Sequence, residues 1–346
     1  MWLIDKQEAP ALVRELVLNE YDLYPHKTTR VGRVFKLACP QGTFALKETA
    51  ASVQQLRFLA RWFEQFNQKD QFPLIPFYPN KFGDPFVCYL DRLYYVTPWL
   101  NDDFEAKYRM DWEPSVLTAL GRIHRFTLTR TSLVQKPLEA LTQMKMRWQK
   151  LLSRMEQYRR KAEQKPLCSP LEGSFLLHFD SLHQRAVRSI VHLEAWLERG
   201  KGEYCWPLVL CHGRLTRPHV VFKHGKCYLI NFDHSKMAHP VLDLVPFFRR
   251  HFAHPLSGRA GDGLTWLAAY ENQFPLNRFD KGLLAILLLF PEGPFTEIDM
   301  YYQKKKDLPP LKCLHRFEKE LERLRHLRRL AKALLHTTSN QSAEKG

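Results

Sequence analysis

Between Pro207 and Phe248 three short apolar runs alternate with polar loops, and no other stretch limits the fold as tightly. Pro207 to Cys211 is the first run, Val220 to Phe222 the second and Cys227 to Phe232 the third. Runs of this length bounded by turn residues read as strands. Lys223-His224-Gly225-Lys226 makes a hairpin of the last two, with Gly225 free to take a positive φ. The remaining loops, His212 to His219 and Asn231 to His239, then carry polar side chains at one edge of a small sheet. Rigid strands commonly position functional groups in that way.

The order His212-Gly213, hairpin, Asn231-Phe232-Asp233, then Val241-Leu242-Asp243-Leu244 resembles the catalytic core of the aminoglycoside-phosphotransferase and protein-kinase-like superfamily. That core reads H-G-D-x-x-x-x-N, a hairpin, I-D-F-D and a downstream D-L. Its chemistry needs an Asp to accept the hydroxyl proton, an Asn to hold magnesium and a second Asp to bridge magnesium to the phosphates. The resemblance implies that Arg214 stands at the base position, His219 at the metal-holding Asn and Asn231 at the metal-holding Asp. None of the three keeps the chemistry of its position, so no intact catalytic set and no metal site is expected. His212 and Asp243 match scaffold positions, Asp243 being the residue that ties down the loop through its backbone.

Earlier in the chain, Phe44-Ala45-Leu46-Lys47-Glu48 resembles the strand whose lysine contacts the nucleotide α- and β-phosphates. Lys47 is therefore a candidate nucleotide contact, although the residues alone equally describe a solvated lysine at a strand end. Leu56, Leu59, Phe63 and Phe66 fall at helical spacing within Ser52 to Phe66. Glu64 on that helix either reaches back to Lys47 or is solvated. Asp233, two residues past Asn231, would face the same way on a strand and completes the nucleotide-site candidates. Only Gly32 precedes the first strand pair, so a glycine-rich phosphate loop is missing. Thr97-Pro98-Trp99-Leu100 resembles the hinge that receives adenine, but Pro98 has no N–H to donate.

The fold expected is α+β and protein-kinase-like, in two lobes. A small, mostly antiparallel-sheet N-lobe takes residues 1–100, with the hinge near 97–100. A larger, mostly helical C-lobe takes 101–336 and contains the degenerate loop 210–243; a polar, disordered tail takes 337–346. His124, in the helix from Pro114 to Thr127, reads as a packing residue rather than a ligand. The 7 cysteines are scattered with no zinc spacing and read as free thiols. The longest apolar run, Leu283 to Phe290, is far short of a membrane span, and the opening MWLIDKQEAP is no signal peptide. A cytoplasmic origin is expected. The formal charge of +16 is spread along the chain, which favours anionic protein or polymer surfaces over nucleic acid as partners.

Together the hinge, Leu120-Gly121-Arg122-Ile123-His124, the degenerate loop, Ile230-Asn231-Phe232-Asp233 and the basic, Pro-broken tail resemble the CotS/YutH-type spore-coat proteins. Membership implies synthesis in the mother cell, placement on the coat and other spore-coat proteins as partners. Two functions then compete. One is a pseudokinase, a binding scaffold for coat assembly that needs no cofactor. The other is an active ATP-dependent phosphotransferase acting on a small-molecule or coat substrate, requiring ATP and magnesium, with Asp233 as a relocated metal ligand. A general base typically contributes ~10²–10⁴-fold in rate. With Arg214 in that place, the scaffold is the better reading.

Overall fold

A computed structural model describes residues 9–67, 74–103, 112–131, 135–200, 206–251, 260–303 and 309–343. In chain order it shows α1 (Ala9–Asn19), β1 (Lys27–Val31), β2 (Val34–Cys39), β3 (Gly42–Thr49), α2 (Val53–Asn67), β4 (Val87–Tyr89) and β5 (Arg92–Pro98). There follow α3 (Trp112–Thr127), β6 (Thr129–Thr131), α4 (Gln135–Glu163), α5 (Pro170–Arg199), β7 (Trp206–Cys211), β8 (Val220–Lys223), β9 (Lys226–Leu229) and β10 (Lys236–Ala238). The chain closes with α6 (Val241–His251), α7 (Ala260–Glu271), α8 (Arg278–Leu289), α9 (Glu292–Tyr302) and α10 (Pro310–Ala343).

Two compact units emerge, Met1–Ile123 with His212–Ser235, and His124–Cys211 with Lys236–Gly346. In the first, β1-β2-β3-β5-β4 form an antiparallel sheet. Alternation along β3 sends Phe44 and Leu46 into the core beside Leu37, Val96 and the α1 residues Val17 and Leu18. Leu90 and Asp91 both take positive φ, which closes the β4–β5 hairpin with the twist such turns favour. The expected boundary at residue 100 is not where the contacts divide, and His212–Ser235 joins the first unit rather than the second. Backbone bonding explains this. Leu229 bridges Leu74, and the carbonyl of Phe222 accepts from the N–H of Asp103 at 2.8 Å. The Asp102 carboxylate in turn accepts from the N–H of Phe222.

The second unit is largely helical. Its small sheet, β10-β7-β6, has β7 at the centre, and every residue of β7 except Leu208 is buried. Two of its three strands escape sequence detection because three-residue edge strands carry too little alternation to read. Around the sheet α5, α8, α10 and α9 pack on one another, with Trp148 of α4 stacked on Phe290 at 4.0 Å. Ser169 and Glu172 form a capping box that starts α5 at Pro170, and the buried apolar stripe opens at Leu171 and continues at Phe175. Helix α10 runs to Ala343, so residues 337–343, expected to be disordered, are helical. Neither Gly nor Pro lies between Leu335 and Ala343 to end it. No helix among the described residues is long and apolar enough to cross a membrane.

Candidate functional site

Lys47, His219, Asn231 and Asp233 converge within the first unit. Lys47 and Thr49 lie two apart on β3 and share a face, and Tyr95 of β5 stands directly opposite Lys47 in the sheet register. All three reach the Asp233 carboxylate. Its Oδ2 accepts from Thr49 Oγ1 at 2.6 Å and pairs with Lys47 Nζ at 2.8 Å, while Oδ1 accepts from Tyr95 Oη at 2.7 Å. Burial pushes the Asp233 carboxyl upward, yet the Lys47 charge and these three donors outweigh it and leave the group below its ordinary value. Asp233 is therefore held ionised.

The same Lys47 also donates to Asn231 Oδ1. The Asn231 amide Nδ2 sits 2.6 Å from His219 Nε2, and His219 Nδ1 lies 2.8 Å from the Arg214 carbonyl. A carbonyl can only accept, so Nδ1 carries the proton and Nε2 accepts from Asn231. Burial lowers the His219 pKa, and the Lys47 and Arg214 charges lower it further, which agrees with a neutral ring. The result is a chain of bonds running from Lys47 through Asn231 and His219 to the loop backbone. Positions that resemble a kinase's phosphate- and metal-holding groups here hold one another.

His212 supports this loop from below. It is fully buried, its Nε2 donating to the Ile230 carbonyl at 3.0 Å and its Nδ1 accepting from the Arg214 N–H at 3.3 Å. Gly213 has φ +76°, and a Cβ there would lie 2.2 Å from the His234 carbonyl oxygen. Only glycine fits. Asn231 is itself left-handed (φ +69°), and Phe232–His234 make a 3-10 turn. Asn231 and Asp233 thus face Lys47 through a turn and not, as expected, through the two-residue period of a strand.

Two further side chains stand outside this network. Glu64 is exposed and makes no ion pair among the described residues. It lies one residue beyond the buried Phe63 and so about 100° round the helix from it, and Asp233 takes Lys47 instead. Arg214 forms no pair with Asp233 or Asp243. It is exposed, with Nη1 3.4 Å from His234 Nε2, because Asp233 is already saturated by β3 and β5. Thr49 and Tyr95 escaped the sequence reading. Strand alternation from Lys47 would have found Thr49, but Tyr95 needed the sheet register.

In the second unit Asp243 is buried with His124, whose Nε2 is 3.3 Å from Asp243 Oδ2 and whose Nδ1 is 2.7 Å from Tyr270 Oη. The Cys211 sulfur completes a buried group of ligand-type atoms within 4.8 Å of one another. Burial and the Asp243 charge hold that thiol well above its ordinary pKa, and it donates toward the carbonyls of Ala238 and His239. Each member is committed to the packed core.

The fold is that of the aminoglycoside-phosphotransferase class of kinase-like proteins. An aminoglycoside phosphotransferase from Alicyclobacillus acidocaldarius superposes with a TM-score of 0.77 at 17% identity, covering 94% of this chain and 96% of that one. A spectinomycin phosphotransferase solved with AMP gives 0.59 at 13% identity over 92% and 97% of the two chains. The chain belongs to the spore-coat family described as "Spore coat putative kinase YutH", whose model matches residues 14–334. The endospore coat-associated protein YutH of Bacillus subtilis (strain 168) is 26% identical over 187 residues, 52% of this chain. That match spans about half of the relative's length, 51%.

Proposed function

We propose that this protein is a pseudokinase, a kinase-like fold kept as a binding scaffold in endospore coat assembly. On this reading it is made in the mother-cell cytoplasm and then joins the coat, where its partners are other coat proteins or anionic surfaces. It needs no ATP and no magnesium. One observation carries the reading: Lys47, Asn231, His219 and Asp233 satisfy each other's polar groups without a ligand. A metal would have to displace donors from Asp233, and the residue at the base position, Arg214, stays protonated at any physiological pH. The coat setting rests on the family and on its coat-associated relative.

The alternative, an active phosphotransferase, draws on the ionised Asp233 as a magnesium ligand. Incubation of the pure protein with γ-labelled ATP and magnesium, in the presence of an aminoglycoside panel and of spore-coat extract, separates the two. The scaffold reading expects no label transfer above a protein-free control. Transfer that Asp233→Asn abolishes would establish the enzyme instead.

A further inference from the structure

Helices α5, α8 and α10 pack together in the second unit and leave between them a groove of about 660 Å³. Its walls include the apolar side chains of Trp196, Phe279, Ile286, Leu289 and Leu335. The charged residues that line it are basic: Arg199 and Arg278, both exposed, with exposed His192 beside them. No carboxylate is among the described lining residues. Arg199 and His192 make no ion pair among the described residues.

The spacing fits one kind of occupant. On α8 the lining positions 278, 279, 282, 286 and 289 form a single helical stripe, twelve residues and roughly 16 Å from first to last. On α5 they are 192, 196 and 199, again one stripe. A trough between helices of that length matches about three turns of a further helix. Gly282 lies inside α8, where alanine would be better by ~0.5–1 kcal/mol, and a Cβ there would meet nothing within 4 Å.

We infer that this groove docks an amphipathic helix of a partner coat protein, its apolar stripe in the trough and its Asp and Glu residues against Arg199, Arg278 and His192. The inference rests on the scaffold reading and says where that scaffold holds its partner. An apolar stripe read at i, i+3, i+4 and i+7 is the usual currency of helix-in-groove recognition, and the basic rim selects the acidic partner. The groove adjoins Trp206, the first residue of β7, whose ring lies 5.2 Å from that of Trp196. Cys211 is at the other end of the strand, roughly 17 Å along.

The test is an array of overlapping peptides tiled across the coat proteins of the host spore, probed with the full-length protein. The peptides retained should carry apolar residues at helical spacing flanked by acids. In fluorescence anisotropy, His192→Glu with Arg199→Glu should weaken the best peptide at least tenfold. Raising salt from 0.1 to 0.5 M should weaken it severalfold. Gly282→Trp should plug the groove, whereas Gly282→Ala should bind as wild type, with melting curves confirming that each variant is folded. The inference is overturned if no peptide is retained, if lysine-for-acid peptides bind equally, or if folded groove variants bind as wild type. Phosphatidylglycerol vesicles that bind, and lose binding in the same variants, would make this a lipid surface and overturn it too. Absent peptide binding with no phosphotransfer removes the groove and leaves the scaffold reading standing. Label transfer by the wild type removes the scaffold reading whatever the peptides do.

Discussion

At the scale of single residues, Asp233 decides how much the polar network is worth. Removing its carboxylate strands Lys47, Thr49 and Tyr95 together, and the Lys47 and Asp233 side chains are only 16% and 13% exposed. Breaking a buried ion pair and leaving donors unpaired typically costs several kcal/mol. Asp233→Ala should therefore lose roughly 2–4 kcal/mol in urea unfolding; a loss below ~0.5 kcal/mol, the scale of an ordinary surface substitution, would mean that the network is decorative. His219 adds a pH signature. Its folded pKa lies below the ordinary 6.5, so the unfolded chain takes up a proton that the folded one refuses. Stability should fall as pH drops through 6.5 toward the folded pKa. His219→Asn should flatten that slope in melting curves taken from pH 7.5 to 5.5. Asp233, depressed below 3.8, contributes stability above that value and loses it only as pH falls through its lower folded pKa, outside this window.

At the scale of elements, two glycine turns of similar φ separate strain from crowding. Gly225 has φ +72° with open space where a Cβ would go, whereas Gly213 has φ +76° with the His234 backbone in that place. Gly225→Ala should cost about 1 kcal/mol, the left-handed penalty alone. Gly213→Ala should cost clearly more, because the His234 turn has to move as well; equal melting temperatures for the two variants would refute this. The strands of this region were legible because apolar runs and turn residues are local signals: the run Pro207–Cys211 became β7, and the hairpin at Lys223–Lys226 became β8–β9. Lys47 was legible on β3 for the same reason. What could not be read depends on partners distant in sequence. The sequence leaves Glu64 between a pair with Lys47 and solvent, and helix phase, set by Phe63 and Phe66, turns it to solvent. Arg214 is exposed, and Asp233 is occupied by residues 138 and 184 positions away, which no local pattern in the sequence shows.

For the whole molecule, the question is whether three positions alone separate the proposed scaffold from a nucleotide-binding protein of the same fold. Wild-type protein offers ATP a lysine whose charge Asp233 already takes, and the positions that resemble metal ligands hold Asn231 and His219. Thermal-shift measurement with 1 mM ATP should therefore show no change in Tm, with or without magnesium. Arg214→Asp, His219→Asn and Asn231→Asp combined restore the family pattern on an unchanged scaffold, since His212, Gly213 and Asp243 are already in place. A second carboxylate beside Lys47 replaces a neutral amide and creates a site that magnesium can neutralise. Binding at ten times Kd stabilises by ~1.4 kcal/mol, a rise in Tm of a few degrees. The triple variant should show that rise with ATP plus magnesium, and much less with ATP alone. If it stays silent while melting like wild type, the loss of nucleotide binding lies deeper than these residues, in the proline at the hinge or the absent glycine-rich loop. A wild-type shift of the same size that requires magnesium would instead restore the enzyme, with Asp233 as its metal ligand.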